Sequence, residues 1–343
     1  MSVSRPSVAS SPDAPDGARR AALWRASAVL VLILAAALVP LLGPSTALDG
    51  TGEVAAPGVG LITLLRTVTF GALCVLVGQA AGGWLARRVP DAPAQRPAGW
   101  ALVAACAGAA AAVGLALIVA NGNWVPDGLA EIRPGRLYQT TDGRLALLEI
   151  NAFIAAGFCA QSRRPGTAAL PLAAVIVAEA LRAHPAVGPE EDPLVGSVLT
   201  LVHLTCAALW AGGLLQVLRT MWVWRPWPDA AAALLGRYAR VAALLFAAIT
   251  ASGICSTLRK LPLESVFTTA YGRVLVAKLL LVAVVAALAL ISRIRLRRVR
   301  EGAPWAALVP ARAEVVALGV VVAVSALLTA VPAPIWWARP LWG

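Results

Sequence analysis

Two histidines, two methionines and no HExxH, GxSxG or Walker-type glycine loop occur in this 343-residue chain. The missing motifs remove the common metalloprotease, serine hydrolase and nucleotide-driven classes, and we expect no enzymatic activity. The two methionines are Met1 and Met221, so no ladder of thioether ligands for a soft ion exists. Five cysteines (Cys74, Cys106, Cys159, Cys206 and Cys255) all fall within apolar runs without a CxxC pair, which argues against a disulfide framework. Charge is scarce as well, at 13% of residues.

What fills the space is hydrophobic: 59% of residues are apolar and the mean hydropathy is +0.78. Soluble domains do not reach such values, so the chain is expected to be an all-α, polytopic membrane helix bundle. Runs of about 17 to 25 apolar residues each suffice for one crossing. Nine are read, at 24–42, 58–84, 99–120, 144–160, 167–183, 194–217, 237–256, 272–292 and 311–330. The fourth and fifth are the shortest. The number falls to eight if the first is a signal peptide cut near Ser45, Thr46 and Ala47, although its apolar stretch is long for that role. Residues 1–21, rich in Ser, Pro and Ala, are expected to be a disordered tail. The remainder divides into a five-helix half, 22–183, and a four-helix half, 194–334.

A net charge of +12 would suggest nucleic acid in a soluble chain. Here the basic residues cluster between spans, as in Arg87–Arg88, Arg163–Arg164 and Arg293, Arg295, Arg297, Arg298 and Arg300. Loops on the N-terminal side carry 19 Lys and Arg against 8 opposite, which orients the chain N-in, C-out. Nucleic acid is therefore not an expected partner; the lipid bilayer is. Tryptophans in 221–228 and 335–343 fit interfacial belts.

Polar residues within spans stand out, because hydrocarbon tolerates them only when paired or hydrated. His203 lies about nine residues from the outer end of its span, roughly 13 Å deep. Cys206 follows one turn on and Trp210 two turns on, all on one helix face. A neutral imidazole and a thiol at that spacing suit a soft metal ion, with Cys255 as a further thiol. A hydrogen-bonded core histidine and two small buried hydrophobes are the plainer readings of the same residues. Arg66, Glu149, Glu179, Ser252 and Lys278 also fall in the outer half, which suggests an outward-opening polar vestibule. The charges could balance as Arg66 and Lys278 against Glu149 and Glu179. Gly212 and Gly213 permit close helix approach, and His184 beside Pro185 reads as an interfacial loop residue.

Three segments, HLTCAALWAGGL (203–214), ARVAALLFAAITASGICSTLR (239–259) and TTAYGRVLVAKLLL (268–281), followed by VPAP (331–334), resemble the bacterial copper resistance D family. The likeness covers about 194–334. It implies copper transport or homeostasis at the bacterial cytoplasmic membrane, with a copper ion transported or transiently bound and often a small extracytoplasmic copper-binding partner. The residues it singles out are His203, Trp210, Gly213, Ser252, Gly253, Tyr271, Gly272 and Lys278. Two further readings stay open: a non-transporting chaperone for copper proteins, and a haem-binding redox protein, although only one histidine lies deep enough to serve as an axial ligand.

Overall fold

The computed structural model describes residues 14–54, 57–162, 164–184, 193–261, 263–298 and 308–331. Among them no strand occurs, and ten helices follow one another: α1 (Ala14–Leu48), α2 (Val59–Arg87), α3 (Ala101–Ala120), α4 (Arg136–Gln139), α5 (Thr141–Gln161), α6 (Ala169–Arg182), α7 (Pro193–Val223), α8 (Pro228–Lys260), α9 (Ala270–Arg298) and α10 (Leu308–Ala330). Helices prevail because hydrocarbon offers no hydrogen-bond partners, so each backbone group must be satisfied within its own segment. Local signals set the ends: the Thr140 hydroxyl accepts from the Gly143 N–H at 3.0 Å to start α5, and Pro228 opens α8 at a position where no amide donor is needed.

Eight of these helices are long and apolar enough to cross a membrane. The exceptions are α4, a single turn of four residues, and α6, whose 14 residues reach only about 21 Å against a core of about 30 Å. A 3₁₀ turn, Pro165–Ala168, extends it. The chain still changes sides there: Arg182 at its end meets Glu149 in the first half of α5, and His184 meets Thr200 near the start of α7. The fifth expected crossing is thus made by a short helix and its lead-in. Neighbour relations agree with strict alternation. Helices α2 and α7 run parallel, with Gly78 on Gly212 and Gly82 on Gln216, whereas α3 and α5 run antiparallel through Gly108 on Phe153 and Ala105 on Gly157.

The expected disordered tail is shorter than 1–21, since the chain is helical from Ala14; residues 1–13 lie outside the described ones. Helix α1 also continues unbroken past Ser45 and Thr46, whose hydroxyls donate to the Leu42 carbonyl, and it packs along α10 through Gly43 on Leu327 and Leu32 on Gly319.

Central in the bundle is α2, which touches α1, α3, α7 and α10. Its crossing with α7 is so close that a methyl group on Gly212 would overlap the Cys74 carbonyl, and one on Gly78 would overlap Gly212. Such backbone contact is how small residues hold membrane helices together without a hydrophobic driving force. Helix α8 packs on α7 but scarcely meets α9, which leans instead on α10. A gap therefore separates α8 from α9 in the plane of the bundle.

Tryptophan and arginine pair along the face where α1 begins: Trp84 under Arg88 at 3.7 Å, Trp100 under Arg219 at 3.6 Å and Trp222 under Arg225 at 3.2 Å. Amphipathic rings at that level fit an interfacial belt. Trp224 departs from it. That residue is fully buried, and its indole N–H donates to the Gln95 carbonyl at 2.9 Å. The tryptophans of 335–343 lie outside the described residues.

Candidate functional site

His203 sits ten residues into α7, roughly 15 Å along the helix axis from its start, and is half-buried. Its Nδ1 lies 3.1 Å from the hydroxyl of Ser252 on α8. Ser252, itself buried, donates its only proton to the Ile249 carbonyl at 3.0 Å. The hydroxyl oxygen is then left to accept from Nδ1–H, and the imidazole is also hydrogen-bonded to the Ile249 backbone. Gly253 completes the seat: a Cβ there would stand 3.6 Å from the imidazole Cε1, so the glycine leaves the ring edge open. Lys278 on α9 is near enough for its charge to act on the imidazole. The arrangement is an oriented single nitrogen donor with a cation nearby.

The two thiols have different surroundings. Cys206 packs against the apolar cluster around Trp210, and Cys255 is exposed. Among the described residues no group of three His, Cys, Asp or Glu side chains gathers to hold a metal ion. A lone imidazole suits passage or hand-over of an ion better than permanent retention.

Two turns beyond His203, toward the arginine-rich face, Trp210 is buried and meets Phe246 edge to face at 5.4 Å between ring centres. Tyr238 donates to the Trp210 carbonyl at 2.6 Å, and the Trp210 indole N–H is bonded to the buried carboxyl of Glu314. Beneath this aromatic step lies a cavity of about 250 Å³ lined by Trp210, Tyr238, Phe246, Arg293 and Glu314. Arg293 reaches across the α8–α9 gap to the Ala239 carbonyl at 2.7 Å. Sequence reading passed over Glu314, although an acid inside the apolar run 311–330 was a visible signal.

The remaining expected site residues divide between two roles. Gly213 makes room for the Tyr238 ring at 3.0 Å, while Gly212 and Gly272 fit closely against backbone of Cys74 and Val266 respectively. These glycines are packing residues. Tyr271 packs with the α1, α9 and α10 cluster around Val324 and Leu327. The charged residues of the outer half meet, in part with the partners expected. Arg182 bonds Glu149 at 2.7 Å and stands 3.6 Å from Glu179, while Arg66 donates to the Thr329 carbonyl at 3.3 Å and acts on Glu179 through space. Lys278 is not the counter-charge of either glutamate; Arg182, which the sequence placed at a span end, takes that role. His184, just past α6, has its Nε2 2.9 Å from Thr200 Oγ1 on α7.

A model of the family described as Copper resistance protein D matches residues 232–329. That stretch is similar to the copper resistance D family. It comprises most of α8, all of α9 and nearly all of α10, and so contains Ser252, Gly253, Tyr271, Gly272, Lys278 and Glu314. The match is narrower than the expected 194–334 and covers less than a third of the chain, leaving His203, Cys206 and Trp210 in the preceding helix. No curated protein and no solved structure matches the chain. The eight candidate spans make this a multi-pass membrane protein, and residues 232–329 are similar to a family of copper resistance proteins. His203 belongs to the same site by geometry, because its ring is seated on Ser252 and Gly253 of that stretch.

Proposed function

We propose that this protein moves copper across the bacterial cytoplasmic membrane, with His203 meeting the ion on the outer side. The observation that carries the reading is the hydrogen bond between His203 Nδ1 and Ser252, which seats the imidazole of α7 against α8, a helix within the stretch similar to the copper resistance D family. Nitrogen donors of this type suit copper in either common oxidation state. Water or a small extracytoplasmic copper-binding protein supplies the other ligands. From His203 the ion passes the Trp210–Phe246 step to the cavity containing Glu314, whose carboxylate offsets the charge on the arginine-rich side.

Copper accumulation in cells tests this. His203→Ala at equal expression should lose most of the protein-dependent copper uptake and copper phenotype; wild-type values for both would remove His203 from the site. A membrane chaperone that hands copper to a partner would use the same single imidazole. Liposomes containing the purified protein separate the two, because transport requires copper to reach the lumen, whereas a chaperone binds copper without flux.

A further inference from the structure

The N-terminal half holds a polar cluster that the copper path does not use. Glu149 on α5 is wholly buried, Glu179 on α6 is 4% exposed, and both belong to a group of charges with Arg182 and Arg66. Glu149 Oε2 accepts from Arg182 Nη2 at 2.7 Å. Its other oxygen, Oε1, is buried without a donor, and so is Oε1 of Glu179. Yet the two carboxyl groups lie in hydrogen-bonding contact with each other. Two ionised carboxylates are acceptors only, so this contact cannot be a bond unless a proton lies between them.

The surrounding charges give the same count. Arg182 is the only cation paired directly with the two acids among the described residues. Arg66 commits its Nη1 to Thr329 and reaches Glu179 only through space. Asp142, at the start of α5, adds negative charge beside Arg182. Helix α3 carries no charged residue, and α7 carries none between Pro193 and Val202. Two touching carboxylates against one guanidinium in a site shielded from water would repel, and one proton makes the Glu149–Arg182–Glu179 group neutral.

We propose that Glu149 and Glu179 share one proton and form a proton-binding site in the outer half of the membrane, held in place by Arg182. Intramembrane acids in such positions carry protons in pumps and transporters, and Arg182, with 11% of its side chain exposed, lies at the end of α6, between the pair and the outer face. The proposal does not depend on copper binding at His203.

Infrared spectroscopy of the purified protein in lipid vesicles reads the proton directly. At neutral pH the wild type should show the carbonyl stretch of a protonated carboxylic acid, shifting in heavy water. The band should disappear in both Glu149→Gln and Glu179→Gln, because the acid that remains then ionises against Arg182, and should persist in Glu264→Gln, an exposed control. A wild type without the band, or a band that survives both substitutions, overturns the proposal. Should either variant fail to assemble, wild-type protein with ¹³C-labelled glutamate answers the question: the band must move with the label, and a band that does not is no glutamate proton.

Discussion

At the residue scale, the chemistry of His203 is set less by its depth than by one hydroxyl. Ser252→Ala keeps the packing volume nearly unchanged but removes the acceptor that fixes the Nδ1–H tautomer. Orienting partners of this kind are worth about 10- to 100-fold in metal affinity. Copper titration of the purified protein should therefore show a loss of that order for Ser252→Ala, with a larger loss for His203→Ala. Equal affinity in Ser252→Ala would mean that the ring is oriented by its packing alone. Arg182 supports a second prediction: Arg182→Ala leaves two buried acids without a counter-ion, a change that costs about 3–5 kcal/mol, visible as a large fall in the detergent melting temperature. His203, Ser252 and Gly253 could be picked out from sequence because a polar atom inside an apolar run has few explanations. The pairing of Arg182 with Glu149 was not legible, since 33 residues separate them and an arginine at a span end reads equally well as a topological charge. Whether Cys206 and Cys255 are ligands stays an expectation from spacing, since helical spacing alone does not say which neighbour fills the adjacent space.

Among the elements, the α2–α7 crossing and the short α6 decide the shape. Gly212 lies directly against the Cys74 carbonyl and Gly78, so Gly212→Val must push two central helices apart and should abolish assembly. Gly236 on α8 has nothing within 4 Å of an added Cβ, and Gly236→Ala should leave expression and melting unchanged, or raise them slightly through helix propensity. Size-exclusion profiles of the two variants test the contrast; a monodisperse Gly212→Val would show that the crossing can relax. Apolar run length located every long helix within a few residues in its membrane core, because length and hydropathy are what the bilayer selects. It understated how far α7, α8 and α9 project beyond the bilayer, where their ends turn polar. It also counted α6 as an ordinary span, since composition does not reveal that a 3₁₀ turn and a buried ion pair stand in for the missing turns.

For the whole molecule, alternation of nine segments and the one-sided distribution of arginine lead to the same orientation. The outer face carries the loops that contain Tyr138 and Glu264, both exposed. It is tied together across the bundle: Glu53, between α1 and α2, accepts from the Ala270 N–H at 3.2 Å, and Arg273 donates to the Asp49 carbonyl. An acid at the start of α9 complements the positive end of that helix, so the outer ends of α1, α2 and α9 hold one another in register while α8 and α9 stay apart below. By the positive-inside rule we expect the arginine-rich face, with the cavity and Glu314 near it, to be cytoplasmic. In that orientation His203 would open toward the outer side and Glu314 toward the cytoplasm, the polarity the proposed transport needs and a reversed insertion would invert. Single cysteines in a background stripped of the native five resolve it. A membrane-impermeant maleimide added to intact spheroplasts should label Tyr138→Cys and Glu264→Cys at once and reach Asp229→Cys, exposed in the first turn of α8, only after lysis. Labelling of Asp229→Cys alone in intact spheroplasts would reverse the orientation and place His203 on the cytoplasmic side of the aromatic step, leaving Glu314 as the first group an incoming ion would meet.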